Sequence, residues 1–176
     1  MKIRFTFLIL LAATICSSFV ISACNKTASP TSVDTTKTAV SHKTLTFTFK
    51  GVLYSCTNVS LSQNASGSFV IQGTSTNGLW ISIRISSITH SGNYTIGDIS
   101  TGHLVDVSLD YTDAGTVYQY IAPPPDTHGG PTPTGTINIA NISPQACKAI
   151  FNTSLEDTYN EFDQPTITGG NIDISN

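Results

Sequence analysis

Aromatic and charged side chains alternate with apolar ones on three predicted strands, and together they have the chemistry of a carbohydrate-binding surface. Aromatic rings stack on sugar rings, and neighbouring carboxylates accept hydrogen bonds from sugar hydroxyls. If the three strands share one sheet, a single outer surface carries six candidate ligand contacts. These are Trp80, Arg84, Asp106, Asp110, Tyr118 and Tyr120. The alternative interpretation is ordinary cross-strand pairing of aromatic and charged residues.

The assignment of these residues to one surface depends on the alternation within each strand. In the segment that contains Trp80 and Arg84, apolar side chains occupy the odd positions, so both residues face away from them. The segment 113–115 is interpreted as a three-residue hairpin loop with glycine in its left-handed position. That loop pairs Asp110 with Tyr118, on the same face as Trp80.

Catalytic and metal-binding motifs are missing from the sequence. It contains no Gly-x-Ser-x-Gly elbow, no His-Glu-x-x-His motif and no glycine-rich phosphate loop. The four histidines do not stand at the spacings of zinc sites. Acidic residues in the segment 156–163 have the chemistry of calcium ligands, but their spacing favours a solvated acidic loop. The sequence therefore predicts no metal, no cofactor and a protein that is not an enzyme.

Two of the four cysteines, Cys56 and Cys147, lie within the predicted folded part of the chain. An exported domain with two cysteines commonly pairs them in an oxidising compartment. Strand alternation also places both on apolar faces. The sequence predicts a disulfide between Cys56 and Cys147, and the alternative is two buried thiols that pack as small apolar side chains.

The elements that must position these residues are short strands. From Thr44 onward apolar and polar residues alternate, and turn residues recur every 8 to 12 positions without a sustained helical period. This pattern predicts a single all-β domain over residues 44–176. We expect an antiparallel β-sandwich of about ten short strands, with a closed lipocalin-like barrel as the alternative. Two longer loops, 122–134 and 154–164, are expected at the rim, where binding sites commonly lie.

Composition excludes one class of partner. Charged residues make up 11% of the chain, against about a quarter in an average globular domain. The formal net charge is −3, and it becomes −5 if an N-terminal segment containing Lys2 and Arg4 is removed. No cluster of basic residues is present to neutralise phosphates. We therefore expect no nucleic-acid partner.

The N-terminus has the pattern of a secretory signal. Lys2 and Arg4 precede an apolar stretch over 5–20, and small residues close it at 21–23, before Cys24. The alternative is an uncleaved transmembrane helix, because the stretch is long enough to be a candidate span. Threonine and serine residues in its second half argue against that alternative.

The residues Ile-Ser-Ala-Cys at 21–24 also resemble the lipobox of bacterial lipoproteins, which is cut just before an acylated cysteine. The resemblance implies a lipoprotein signal peptide over 1–23 and a lipid on Cys24. Residues 24–43 would then form the lipidated cysteine and a flexible tether, whose roughly 18 linker residues reach about 23 Å. The membrane becomes a partner through the lipid, in the cell envelope and at the outer membrane, on either its periplasmic or its surface face.

Several short motifs occur in an order that resembles a known group of proteins. They are Phe49-Lys50-Gly51 with Tyr54, Gly92 to Ile96, Asp110-Tyr111 with Tyr118, Gly135 to Ile139, Cys147 to Phe151, and Ile167 to Ile172. The order is similar to that of small Bacteroidota outer-membrane lipoproteins with a single β domain of unknown function. That group implies no catalytic or binding residues. This chain departs from the pattern at Tyr54, where tryptophan is expected, and at its two domain cysteines.

These observations favour a lipid-anchored cell-envelope protein with a non-catalytic binding or structural role. The alternative is a carbohydrate-binding surface lipoprotein, and a small envelope enzyme ranks third. A glycan or another envelope protein is the expected partner besides the membrane.

Overall fold

The computed structural model describes residues 41–98, 102–122, 135–160 and 162–176, and most of these belong to β-strands. The strands are β1 His42–Phe49, β2 Val52–Gln63, β3 Phe69–Ser75, β4 Trp80–Ser86, β5 Gly92–Ile96, β6 Leu104–Asp113, β7 Thr116–Ala122, β8 Gly135–Ser143, β9 Ala146–Ser154, β10 Glu156–Asp157 and β11 Thr166–Ser175. The described ranges contain no helix. The prediction of an all-β protein is confirmed.

These strands form one antiparallel sheet in the order β10-β7-β6-β4-β3-β2-β1-β11-β9-β8-β5. The long strand β2 joins the two halves of the sheet, because it pairs with β1 up to Ser55 and with β3 from Cys56 onward. The sheet curls into a half-barrel. It encloses one apolar core, as the expected sandwich and barrel both would, and it leaves β10 and β5 as its edge strands.

Strict alternation along the strands builds this core. Leu45, Phe47 and Phe49 of β1 are fully buried, while the intervening threonines are partly exposed. The same alternation on the other strands adds further fully buried residues to one cluster. Among them are Ile71, Ile81, Ile83, Ile85, Leu109, Tyr120 and Ile137. Burial of each large apolar side chain contributes roughly 1.5 to 3 kcal/mol.

Strand β1 begins at His42, ahead of the predicted start of the domain at Thr44. Its first residues pair with β11, where His42 lies opposite Ser175. The Nε2 atom of His42 is 2.8 Å from Oδ1 of Asp173, which fixes this end of the strand.

A tight turn connects β1 to β2 and sets the register of this hairpin. Lys50 and Gly51 both have positive φ angles, of 47° and 77°, and Phe49 pairs directly with Val52. This is the two-residue turn whose twist matches that of the flanking strands. The turn places Lys50 at the rim of the half-barrel, directly after a buried aromatic residue.

The predicted disulfide is wrong: Cys56 and Cys147 are both free and buried. Cys56 belongs to β2 and Cys147 to β9, with β1 and β11 between them in the sheet. Three strand spacings amount to roughly 14 Å along the sheet, whereas a disulfide needs Cα atoms within about 7 Å. Both cysteines pack as small apolar side chains, which was the alternative interpretation.

Burial makes both thiols hard to ionise. Desolvation raises the pKa of Cys56 to about 11 and the pKa of Cys147 to about 12. Because the thiolate is the nucleophilic form, neither cysteine is reactive in the folded protein near neutral pH.

We therefore predict that both thiols resist alkylation at pH 8 in the native protein and react fully once it is unfolded. Stability should fall as the pH rises above the ordinary thiol pKa of about 9, because the unfolded chain loses its thiol protons first. Timed alkylation read by mass spectrometry and thermal melts between pH 7 and pH 11 measure both effects. Rapid native alkylation, or a disulfide-linked peptide pair, would contradict the structure.

Candidate functional site

Four of the six predicted ligand contacts do share one outer surface. The register pairs Trp80 with Asp110 and Arg84 with Asp106, on the side of β4 and β6 that faces away from the core. Nε of Arg84 donates a hydrogen bond of 2.8 Å to Oδ2 of Asp106. Burial raises the pKa of Asp106, although the neighbouring guanidinium opposes this. Arg84 and Asp106 are thus already paired with each other, and Trp80 is half-buried.

Tyr118 and Tyr120 do not join that surface, so their predicted placement is wrong. The connection between β6 and β7 is a two-residue turn at Ala114 and Gly115, with φ angles of 47° and 84°, and not a three-residue loop. Removing one loop residue shifts the pairing by one position and turns each side chain to the other face. Tyr120 therefore pairs with Leu109 and is fully buried.

The shifted register creates a cluster that the sequence did not predict. Tyr111, Tyr118 and Tyr120 lie near Phe49, and the ammonium group of Lys50 is held among the four rings. Its Nζ atom is 4.9 Å from the ring centre of Tyr120 and 5.7 to 5.8 Å from the other three centres. These distances are in the range of cation–π attraction. We call this group, together with Asp163, the Lys50 cluster.

Hydrogen bonds complete the Lys50 cluster. Nζ of Lys50 donates to the Tyr120 hydroxyl at 2.7 Å and to Oδ2 of Asp163 at 3.3 Å. The Tyr120 hydroxyl donates to the same Asp163 oxygen at 2.9 Å. The three side chains therefore form a closed triangle that ties the β1–β2 hairpin to the segment after β10.

Both proton-bearing groups of the triangle keep their protons at neutral pH. Burial lowers the pKa of Lys50, but its hydrogen bonds to Tyr120 and Asp163 raise it more, so the net shift is upward. Burial also raises the pKa of Tyr120. The ammonium and the phenol are hydrogen-bond donors, and neither is poised to act as a nucleophile or a base.

A cleft of about 560 Å³ opens beside the Lys50 cluster, and we call it the rim cleft. Three threonines and one glutamine supply hydroxyl and amide groups to its wall. Its lining residues are Thr48, Lys50, Gly51, Asp163, Gln164, Pro165, Thr166 and Thr168. Among the described residues that line it, Lys50 and Asp163 are the charged ones, and they form an ion pair 3.3 Å long.

The segment from β10 to β11 forms one side of the rim cleft and is anchored by buried residues. Leu155 is fully buried, and its backbone N–H donates to the Pro165 carbonyl at 2.8 Å. Glu156 and Asp157 are also buried, in contrast to the solvated acidic loop expected here. They form β10 against β7, and Oε2 of Glu156 accepts a hydrogen bond from Gln164.

Two aromatic side chains project from this anchored segment. Tyr159 is 84% exposed and Phe162 is 88% exposed. Their backbone N–H groups donate to side-chain oxygens of Asp157 and Asn160, at 2.8 and 3.3 Å, so short turns hold both positions. Sequence reasoning missed them because the acidic residues dominated the interpretation of this loop.

A second cleft of about 350 Å³ adjoins the rim cleft, with which it shares Thr166 and Thr168. We call it the threonine cleft. Its other lining residues are Thr95, Gly135, Thr136, Asn152, Thr153, Ser154 and Ile167. None of these side chains carries a charge.

Some predicted features lie outside the described residues. They are the signal peptide at 1–23, the lipidated Cys24, the tether up to residue 40, the proline-rich part of the loop at 123–134, and Glu161 of the acidic loop. Within the part of the chain that is described, no three histidine, cysteine, aspartate or glutamate side chains come together as metal ligands.

Comparison with known proteins adds no relative: no protein-family model, no curated protein and no solved structure matches the chain. Across the described ranges, no helix is long and apolar enough to cross a membrane.

We predict that Tyr120→Phe lowers the free energy of unfolding by about 1 to 2 kcal/mol, because the substitution removes the hydroxyl that bonds Lys50 and Asp163. The matched control is Tyr118→Phe, since the Tyr118 hydroxyl makes no hydrogen bond within the described residues. Chemical denaturation measures both variants. Equal stabilities of the two variants would show that the triangle contributes nothing.

Proposed function

We propose that this protein is a lipid-anchored, non-catalytic binding protein of the cell envelope, and that it recognises carbohydrate at the rim cleft. The observation that carries the proposal is the pair of exposed rings, Tyr159 and Phe162, on the anchored segment that also supplies Asp163, Gln164 and Pro165 to the rim cleft. Aromatic side chains exposed on an anchored segment are available for contact with a partner. Aromatic rings beside hydroxyl and amide groups are the combination that sugar rings require.

Electrostatics at the rim cleft favour a neutral ligand. Lys50 and Asp163 offset each other, and the other polar side chains that line the cleft in the described part of the chain are those of threonine and glutamine. Among these residues, a strongly charged ligand would find no counter-charge outside that ion pair. A polyhydroxylated ligand would find donors and acceptors without displacing an ion pair.

Protonation states support a non-catalytic role. The ammonium of Lys50 and the phenol of Tyr120 are held in their protonated forms. The thiols of Cys56 and Cys147 are buried, with pKa values of about 11 and about 12. No activated nucleophile is therefore found among these four groups.

The sequence pattern supports the proposed location. A basic start, an apolar stretch and Ile-Ser-Ala-Cys at 21–24 favour export and acylation of Cys24. The polar segment that follows would carry the β domain away from the lipid headgroups. In this arrangement the domain acts at the outer membrane of the envelope.

A structural role in binding another envelope protein is the second candidate. Val52 and Leu53 are 50% and 72% exposed at the start of β2, next to the Lys50–Gly51 turn. Apolar side chains at a hairpin tip suit a protein interface better than a sugar. Loss of a co-purifying envelope protein in Leu53→Ser, with glycan binding unchanged, would favour this candidate.

We predict that Phe162→Ala and Tyr159→Ala each weaken carbohydrate binding at least tenfold with little loss of stability, because both side chains are exposed. The control is Ile150→Ala, which removes a side chain that is 59% exposed and lies outside both clefts. Binding is measured on an array of neutral glycans and by calorimetry. Unchanged binding in both aromatic variants would exclude the rim cleft as the site.

We also predict that Cys24→Ala abolishes lipid attachment. The variant should remain uncleaved or appear in the soluble fraction, whereas the parent protein partitions into detergent. Metabolic labelling with a fatty acid measures the acylation directly. A cleaved variant that still partitions into detergent would contradict lipidation at Cys24.

A further inference from the structure

Polar side chains continue from the rim cleft beyond β11, across the three further strands β9, β8 and β5. In the register, Thr48 of β1 pairs with Thr168 of β11. On the far side, Asn152 of β9 pairs with Thr136 of β8, which pairs with Thr95 of β5. These five residues, four threonines and one asparagine, form what we call the hydroxyl row.

The gap between the two parts of the hydroxyl row is closed by a bulge in β11. The pairing of β9 with β11 shifts between Ile167 and Gly170, so Thr168 and Gly169 have no regular partner on β9. The backbone N–H of Gly169 instead donates to Oδ1 of Asn152 at 2.8 Å. Thr168 is exposed at this point and lines both clefts, so the two clefts are contiguous there.

Length and chemistry of this surface indicate what it binds. From β1 to β5 the row crosses four strand spacings, or roughly 19 Å. Four of its five side chains are exposed, and none is charged. Phe162 directly precedes Asp163, so the segment with the exposed rings joins this surface at its Lys50–Asp163 end. A single sugar ring would occupy only the rim cleft. The hydroxyl and amide groups of the threonine cleft lie too far away for that ring to contact them.

We infer that the rim cleft and the threonine cleft are consecutive subsites for a linear, neutral oligosaccharide longer than a disaccharide. One end of the oligosaccharide contacts Phe162 and Tyr159, and the following sugar units lie across β11, β9 and β8 towards Thr95. This inference rests on the proposed carbohydrate-binding function and extends it to the size and charge of the ligand. Hydrogen bonds from Thr136 and Thr95 distinguish long ligands from short ones.

The test uses the full chain in detergent and linear glucan, xylan, mannan and galactan oligosaccharides from monosaccharide to hexasaccharide, titrated by calorimetry. We expect affinity to rise at least tenfold from the disaccharide to the hexasaccharide of the series that binds. In the double variant Thr95→Val and Thr136→Val, the hexasaccharide should bind more weakly by roughly two- to tenfold for each lost hydroxyl. Disaccharide affinity should not change.

Two further variants make the result specific. The pair Thr112→Val and Thr116→Val removes exposed hydroxyls from the β6–β7 hairpin, outside both clefts, and should bind every ligand as the parent does. Thr136→Ser keeps the hydroxyl and should retain hexasaccharide affinity. Valine suits exposed strand positions, so thermal melts should confirm that all variants fold.

The outcomes separate the inference from the function on which it rests. Equal affinity for disaccharide and hexasaccharide, with binding still lost in Phe162→Ala, overturns the second subsite and leaves the proposed function standing. Failure of every neutral series to bind overturns both. A hexasaccharide advantage that survives in the Thr95 and Thr136 double variant also overturns the threonine cleft as the second subsite.

Discussion

Two left-handed turns of two residues each determine which face of the sheet every neighbouring side chain occupies. Lys50 and Gly51 close the first hairpin, and Ala114 and Gly115 close the second. Side chains alternate between the two faces of a strand. One more residue in either turn would therefore shift the pairing and move every side chain of the following strand to the opposite face of the sheet. The turns thereby bring Phe49 and three tyrosines onto one inner face, and they leave the Lys50 ammonium at the rim.

Local alternation was enough to predict much of this fold. The all-β class and the buried side chains of β1 and β4 follow from the period-two pattern alone. The same pattern predicts the outer surface that Trp80 and Asp110 share, because this surface depends on the alternation within two strands and not on the length of their loops. Each of these features is encoded within about ten neighbouring residues.

The features that could not be predicted depend on loop length or on long-range strand order. Asp113-Ala114-Gly115 suggested a three-residue loop, and alanine rarely adopts the positive φ that the observed turn requires. For Cys56 and Cys147, the alternation of apolar and polar residues correctly indicated burial, but only the strand order shows that two strands separate them. Pairing with β7 buries Glu156 and Asp157, and a charge pattern alone cannot reveal such pairing.

The candidate site depends both on local alternation within strands and on long-range strand pairing. Long-range pairing holds the β10–β11 segment against the β1–β2 hairpin, and the Lys50–Tyr120–Asp163 triangle joins them with their charges balanced. The rim segment from which Tyr159 and Phe162 are exposed is thus tied to the body of the sheet. A preorganised surface of this kind loses little conformational entropy on binding, which favours recognition of a weakly interacting ligand such as a neutral sugar.

The most direct test of carbohydrate recognition at the rim cleft is a nuclear magnetic resonance titration of the isotope-labelled protein with the neutral glycan that it binds. We expect backbone amide signals of Gly51, Phe162 and Thr168 to shift, while those of Ser82 and Ser108, on the outer surface of β4 and β6, stay unchanged. Shifts confined to Ser82, Ser108 and their neighbours would place the ligand on the Trp80 surface instead and would contradict recognition at the rim cleft.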